Sequence, residues 1–285
     1  MKGSPGTPSA QPFFLQTDYG KRFCLYHEPH EGAAYRAALI YIPPFGEEMN
    51  KSRRMAALQA RAFAANGIGV LQMDLFGCGD SSGEFADARW DVWKRDVDYA
   101  LGWLNDRTAV PIGLWGLRLG ALLTLDIARE RQHALDKIVL WQPIVNGASF
   151  LTQFLRLQLA NEMLANDGDT AKTSGTRAMR DALANGETLE IAGYALAPDL
   201  AAAIDELKAS EFVIARKPIH WFEIVSEAGR PMSSAGLKVA DAWKRNAVEL
   251  HVHLVPGLPF WATQEISECA PLIAATTEVV AGEIP

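Results

Sequence analysis

The sequence predicts an α/β fold: a mostly parallel sheet with helices on both faces and one inserted helical segment. Three observations predict it. From about residue 38 to 143, short apolar runs alternate with amphipathic stretches at helical spacing. Those apolar runs are near-continuous, as strands buried on both faces require. Residues 144–210 then break the rhythm, and it resumes afterwards. The 285 residues, 49% hydrophobic and 21% charged, suffice for a sizeable core without disulfides or metal.

Taken in order, "FFLQT" and "RFCLYHEP", split by the turn-like "DYGK", read as an antiparallel hairpin. "AALIYIPP" reads as a buried strand. "KSRRMAALQARAFAANG" reads as a helix stopped at Gly67. "IGVLQMDL" is the next strand. "DARWDVWKRDVDYALGWLNDR" is the next helix, with Trp90, Trp93, Val97, Leu101 and Leu104 on one stripe. The strand "PIGLWGL", the helix "RLGALLTLDIARER" and the strand "KIVLWQP" follow. Between 144 and 210 lie "ASFLTQFLRLQLANEMLAN", the polar "DGDTAKTSGTR", "ETLEIAGYALAP" and "DLAAAIDELKAS". That segment is too long for a crossover and too organised for a linker, so it reads as a lid on the sheet. The strand "IHWFEIV", the helix "SSAGLKVADAWKRN", the strand "VELHVHLV" and a last helix near 262–281 complete about eight strands. The organisation expected is a mobile tail (1–12), core (13–143), helical lid (144–210) and core again (211–285).

Net charge is −7, without the basic face that nucleic acid or an anionic membrane would require. No run of about 18 apolar residues suggests a membrane span. The opening "MKGSPGTPSAQP" has no apolar stretch and does not read as a secretory signal. Cys24, Cys78 and Cys269 are scattered and read as free thiols in a reducing, cytoplasmic setting. Nothing points to a metal or an organic cofactor.

Four stretches carry a family likeness. "YIPPFGEEMNKSRR" sits where an oxyanion loop would be, and "LQMDLFGCGDSSGEF" resembles a D-x-x-G-x-G-x-S loop. "GLWGLRLGALL" has the glycine spacing of the G-x-S-x-G nucleophile elbow, and "HLVPGLPFW" sits at a histidine loop. With the element order, these resemble the α/β-hydrolase fold across roughly residues 13–280. Together they look most like the subgroup called exosortase A system-associated hydrolase 2. That resemblance implies a hydrolase-like protein of bacterial exopolysaccharide or exosortase clusters. By fold, its substrates would be esters, thioesters or related acyl or glycan-linked compounds.

The chemistry does not follow the fold. A serine hydrolase needs a nucleophile at the elbow tip, where Gly116 and Gly120 permit the turn, yet the tip is Arg118. It needs a histidine just after the last strand, and near Pro259 there is none. His251 and His253 come too early and read as sheet residues. Glu227 stands near the place of the acid, with no histidine to orient. Cys78, Ser81 and Ser82 in "GCGDSSG" are alternative nucleophiles. The serines also read as turn formers, and the thiol would need a cationic setting that Arg118 could supply.

The anion-stabilising part of the machinery remains. By the resemblance its backbone donors would be Phe45 and Leu119, since Pro43 and Pro44 have no N–H. A guanidinium placed there, beside a helix N-terminus, requires an anion. Either a protein carboxylate plugs the site, with Glu47 or Glu48 first and Glu227 behind, or a ligand carboxylate or phosphate does. Arg118 is expected at a tight strand–helix turn, with its side chain in a pocket roofed by 144–210. The readings left open are a degenerate hydrolase that binds a small acyl- or anion-bearing ligand, an acyl hydrolase with an unusual nucleophile, and a scaffold whose lid meets a protein partner.

Overall fold

The computed structural model describes residues 10–30, 34–165, 175–215 and 217–282, with 158–165 described as backbone only. An eight-stranded sheet runs through the chain. Its strands are β1 (Ala10–Thr17), β2 (Gly20–His27), β3 (Ala37–Ile42), β4 (Ile68–Met73), β5 (Ile112–Leu117), β6 (Ile138–Trp141), β9 (Ile219–Val225) and β10 (Leu250–Pro256). Their spatial order is β1-β2-β4-β3-β5-β6-β9-β10. β1 and β2 pair antiparallel, as do β2 and β4, and every other pairing is parallel. This is the α/β-hydrolase architecture expected from the element order.

The continuous apolar runs explain the middle of the sheet, where β3, β5 and β6 are buried at every residue. Side chains alternate between two cores. Trp115, Trp141 and Phe222 face α1 (Glu47–Ala65) and α8 (Ala270–Gly282). Leu114, Leu140 and Trp221 face α2 (Trp90–Asn105), α3 (Leu119–Glu130) and α7 (Ser234–Arg245). Burying each such side chain contributes on the order of 1.5–3 kcal/mol. The α2 stripe anticipated from spacing is buried as a unit.

Between β6 and β9 the chain forms α4 (Gly147–Ala165), α5 (Thr176–Ala184), a small hairpin of β7 (Leu189–Ile191) and β8 (Tyr194–Leu196), and α6 (Pro198–Asp205). Two boundaries differ from expectation. β1 begins at Ala10 and pairs with His27, so residues 10–12 belong to the sheet and not to a tail. Residues 1–9 of that tail, and 166–174 in the polar part of the insertion, lie outside the described residues. The last helix starts at Ala270 rather than near 262. The hydroxyl of Thr263 there bonds to Phe260 O, Glu265 O and Ser267 Oγ, closing turns that compete with helix.

Candidate active site

β5 ends at Leu117 and α3 begins at Leu119, with Arg118 between them at φ 55° and ψ −117°. A side-chain-bearing residue rarely adopts that conformation, so the surroundings must enforce it. The Arg118 amide donates to Trp141 O at 3.0 Å, and Arg118 O accepts from the amide of Ile144 at 3.1 Å. The flanking glycines are required by close approach. A Cβ on Gly116 would lie 2.3 Å from Thr124 Oγ1, and one on Gly120 would lie 2.3 Å from Pro43 O and 2.4 Å from Ile42 O. The glycines therefore press α3 onto β5 and β3, and the elbow tip is forced outward.

The Arg118 guanidinium is held by Glu48, in the first turn of α1. Nε donates to Oε1 at 3.1 Å, and Nη2 lies 3.1 Å from the same oxygen. Both side chains are largely buried, at 16% and 23% exposure. Burial pushes the Glu48 carboxyl up, and the Arg118 charge opposes that shift. The other face of the guanidinium lies over the Trp261 ring, 5.3 Å from its centroid. Trp261 belongs to the loop after β10, the loop of Pro259, near the position expected from the sequence for a triad histidine. Among the described residues no acceptor bonds the amides of Phe45 or Leu119.

Above the pair opens a cleft of about 190 Å3. Phe45 from the β3–α1 loop, Phe150 and Phe154 from α4, and Tyr194 from β8 form aromatic walls around Arg118 and Glu48. Phe45 meets Phe150 and Phe154 edge-on, with centroids 5.5 and 5.0 Å apart. The inserted segment thus roofs the elbow.

The remaining candidates sit elsewhere. Glu47 accepts from Asn50 Nδ2 at 2.9 Å and from the Tyr194 hydroxyl at 3.3 Å, so it lines the cleft without touching the guanidinium. Glu227 is not an Arg118 partner: it pairs with Arg230 at 3.0 Å, and both are exposed. Cys78 does not gain a cationic setting from Arg118. It packs against the core, and burial with Asp74 and Asp96 nearby pushes its thiol up to about 12. Ser81 Oγ donates to Asp74 O at 2.5 Å and accepts from the Phe23 amide at 2.9 Å. Ser82 Oγ accepts from the Lys21 amide at 2.9 Å. His253 lies on β10, stacked on Phe222 and 3.4 Å from His220 Nδ1, and His251 lies beside Glu249 on the same strand. Burial lowers His220 to about 4. Among the described residues no group of three His, Cys, Asp or Glu could hold a metal, and no helix is long and apolar enough to cross a membrane.

Sequence reasoning missed Trp261 and the aromatic walls. Phe150 and Phe154 at i, i+4 were a signal, but an aromatic pair at that spacing reads equally as core.

Residues 34–193, which include the elbow and most of the insertion, match the family model described as serine aminopeptidase, S33. The chain belongs to this S33 family. Solved structures with the same fold as this S33 member include a thermostable carboxyl esterase from Bacillus coagulans, at 12% identity and TM-score 0.67, covering 97% of this chain and 99% of that one. The ferulic-acid-bound Est1E of Butyrivibrio proteoclasticus matches at 14% identity and TM-score 0.62, covering 95% and 96%. A soluble variant of the Saccharomyces cerevisiae monoglyceride lipase matches at 14% and 0.62, covering 99% and 96%. At these identities the likeness is one of fold. No curated protein matches by sequence.

Proposed function

We propose that this S33-family chain has a degenerate Ser-His-Asp triad and binds a small acyl- or anion-bearing ligand without cutting it. The Arg118–Glu48 pair at the elbow carries the reading. Arginine has no nucleophile to offer, and Trp261 rather than a base lies against it. The strained turn, the close-packed glycines and the aromatic cleft support retention of the site as a binding surface. Glu48 holds the guanidinium until a ligand carboxylate or phosphate takes its place. Because burial already favours protonation of Glu48, the displaced carboxyl can take up a proton when an anion arrives. The resemblance to exosortase A system-associated hydrolase 2 suggests an exopolysaccharide or protein-sorting cluster as the setting.

Hydrolysis of p-nitrophenyl acetate and butyrate tests this reading. Wild type and Arg118→Ser should both stay near background, because the serine would lack a base. Arg118→Ser with Pro259→His should gain activity. Butyrate should raise the melting temperature of wild type and not of Arg118→Ala. A wild-type rate well above background that disappears in Cys78→Ala would establish the cysteine-nucleophile reading instead.

A further inference from the structure

A second cavity of about 190 Å3 lies on the α1 face of the sheet. Topology creates it. α1 and α8 pack over the central strands on this face, but no helix is inserted between β1, β2 and β3. Phe23 and Leu25 on β2 are therefore left half-buried, as one wall of a hollow that Met49 of α1 closes from the other side.

Four polar side chains line the hollow: Tyr41, Arg53, Asp74 and Gln72, whose Oε1 lies 3.1 Å from His27 Nε2. Tyr41 of β3 lines it and is only 6% exposed, with its ring 4.4 Å from that of Trp115. Among the described residues its hydroxyl has no hydrogen-bond partner, although it lies close enough to Arg53 and Asp74 to feel both charges. Arg53 Nη2 donates to Asp74 Oδ2 at 2.9 Å, with Arg53 the more exposed partner. The hydroxyl of a side chain so little exposed, with no partner among the described residues, is left as a free donor and acceptor at the wall of the hollow, where a ligand hydroxyl can meet it. The ion pair is neutral as a whole, so a charged ligand gains no net attraction from it, whereas a neutral donor–acceptor group can bond beside it. Apart from these four side chains the lining is apolar. The volume falls below the roughly 300–1,000 Å3 typical of sites for drug-sized ligands.

We propose that this cavity binds a small neutral alcohol or phenol, with its hydroxyl on Tyr41 and its hydrocarbon part against Phe23, Leu25 and Met49. The site is separate from the elbow and does not depend on the reading of Arg118.

The test uses p-cresol on the full chain, with toluene and p-toluate as matched compounds lacking the hydroxyl or carrying a charge. Ligand-observed NMR should rank p-cresol above both. Tyr41→Phe should weaken p-cresol by about fivefold or more, the loss expected for one hydrogen bond, and leave toluene unchanged. Ala57→Leu, on the half-exposed wall of α1, fills the hollow and should abolish binding of both without touching Tyr41. A crystal soaked with p-cresol should place its oxygen on the Tyr41 hydroxyl. The proposal is overturned if p-cresol does not bind and the soaked cavity holds water only, if Tyr41→Phe binds p-cresol as wild type does, or if p-toluate binds as well as p-cresol.

Discussion

The elbow at Arg118 and the loop from Asp74 to Gly83 leave the same end of the sheet, from β5 and β4, with β3 between them. The elbow has the backbone of a sharp strand–helix turn: a positive-φ tip, Gly120 against the end of β3, Gly116 against α3, and a helix starting behind it. Its tip side chain is a cation held by Glu48. The other loop has the side chains that could attack a carbonyl, a thiol and two hydroxyls, but each is engaged structurally. Ser81 and Ser82 pin the loop to β2, and Cys78 is half-buried against the core, near two carboxylates. A nucleophile requires the residue and the environment together. Here one loop has the environment and the other has the residues.

The largest effect expected from breaking this contrast is at the elbow backbone. Gly120→Ala places a Cβ against two carbonyl oxygens of the β3 end, which cannot swing aside. A loss of about 3 kcal/mol in denaturant unfolding is expected, as for other overpacked sites. A stability equal to wild type would mean the helix is not pressed onto β3.

Separating Arg118 from its partner comes next. Glu48→Ala strands a largely buried guanidinium and should cost about 2 kcal/mol, less than a fully buried pair because some water reaches both groups. Glu48→Ala combined with Arg118→Met should recover most of that loss. Glu47→Ala, one residue away, should change stability by less than about 0.5 kcal/mol. Equal costs for the two glutamates in thermal melts would remove Glu48 from its assigned place.

In the Asp74–Gly83 loop, Ser81→Ala leaves the Phe23 amide without its acceptor and should cost about 1 kcal/mol. If it instead abolished an ester-hydrolysis rate, the serine would have a chemical role after all. The smallest effect concerns reactivity. With its pKa pushed up to about 12, Cys78 remains a thiol in the folded protein far above the pH at which an ordinary cysteine ionises. Iodoacetamide at pH 8.5 should label Cys78 slowly in the folded chain and rapidly in urea. Fast labelling of the folded chain, located by peptide mapping, would restore it as a candidate nucleophile.

Much of this was legible in the sequence because it is local. The alternation of apolar runs and amphipathic stretches gave the strand and helix order, since burial on a parallel sheet imposes those periods. The spacing of Gly116 and Gly120 marked the elbow, and the charge of Arg118 beside a helix N-terminus narrowed its partner to nearby acids. The choice between Glu47 and Glu48 is also half-local: Glu48 shares a helix face with the buried Ser52, Met55 and Gln59, and Glu47 does not.

Tertiary structure alone decided the rest, because it depends on segments far apart in the chain. Trp261 meets Arg118 only after β10 takes the sheet edge. The Cys78 thiol is pushed up by desolvation and by Asp74 and Asp96, groups brought together from different segments, and a pKa belongs to an environment rather than to a residue type. Tyr41 lies in an apolar run that marks it as core. Its unpartnered hydroxyl emerges only because no helix fills the space beside β2, a consequence of strand order that no local period encodes.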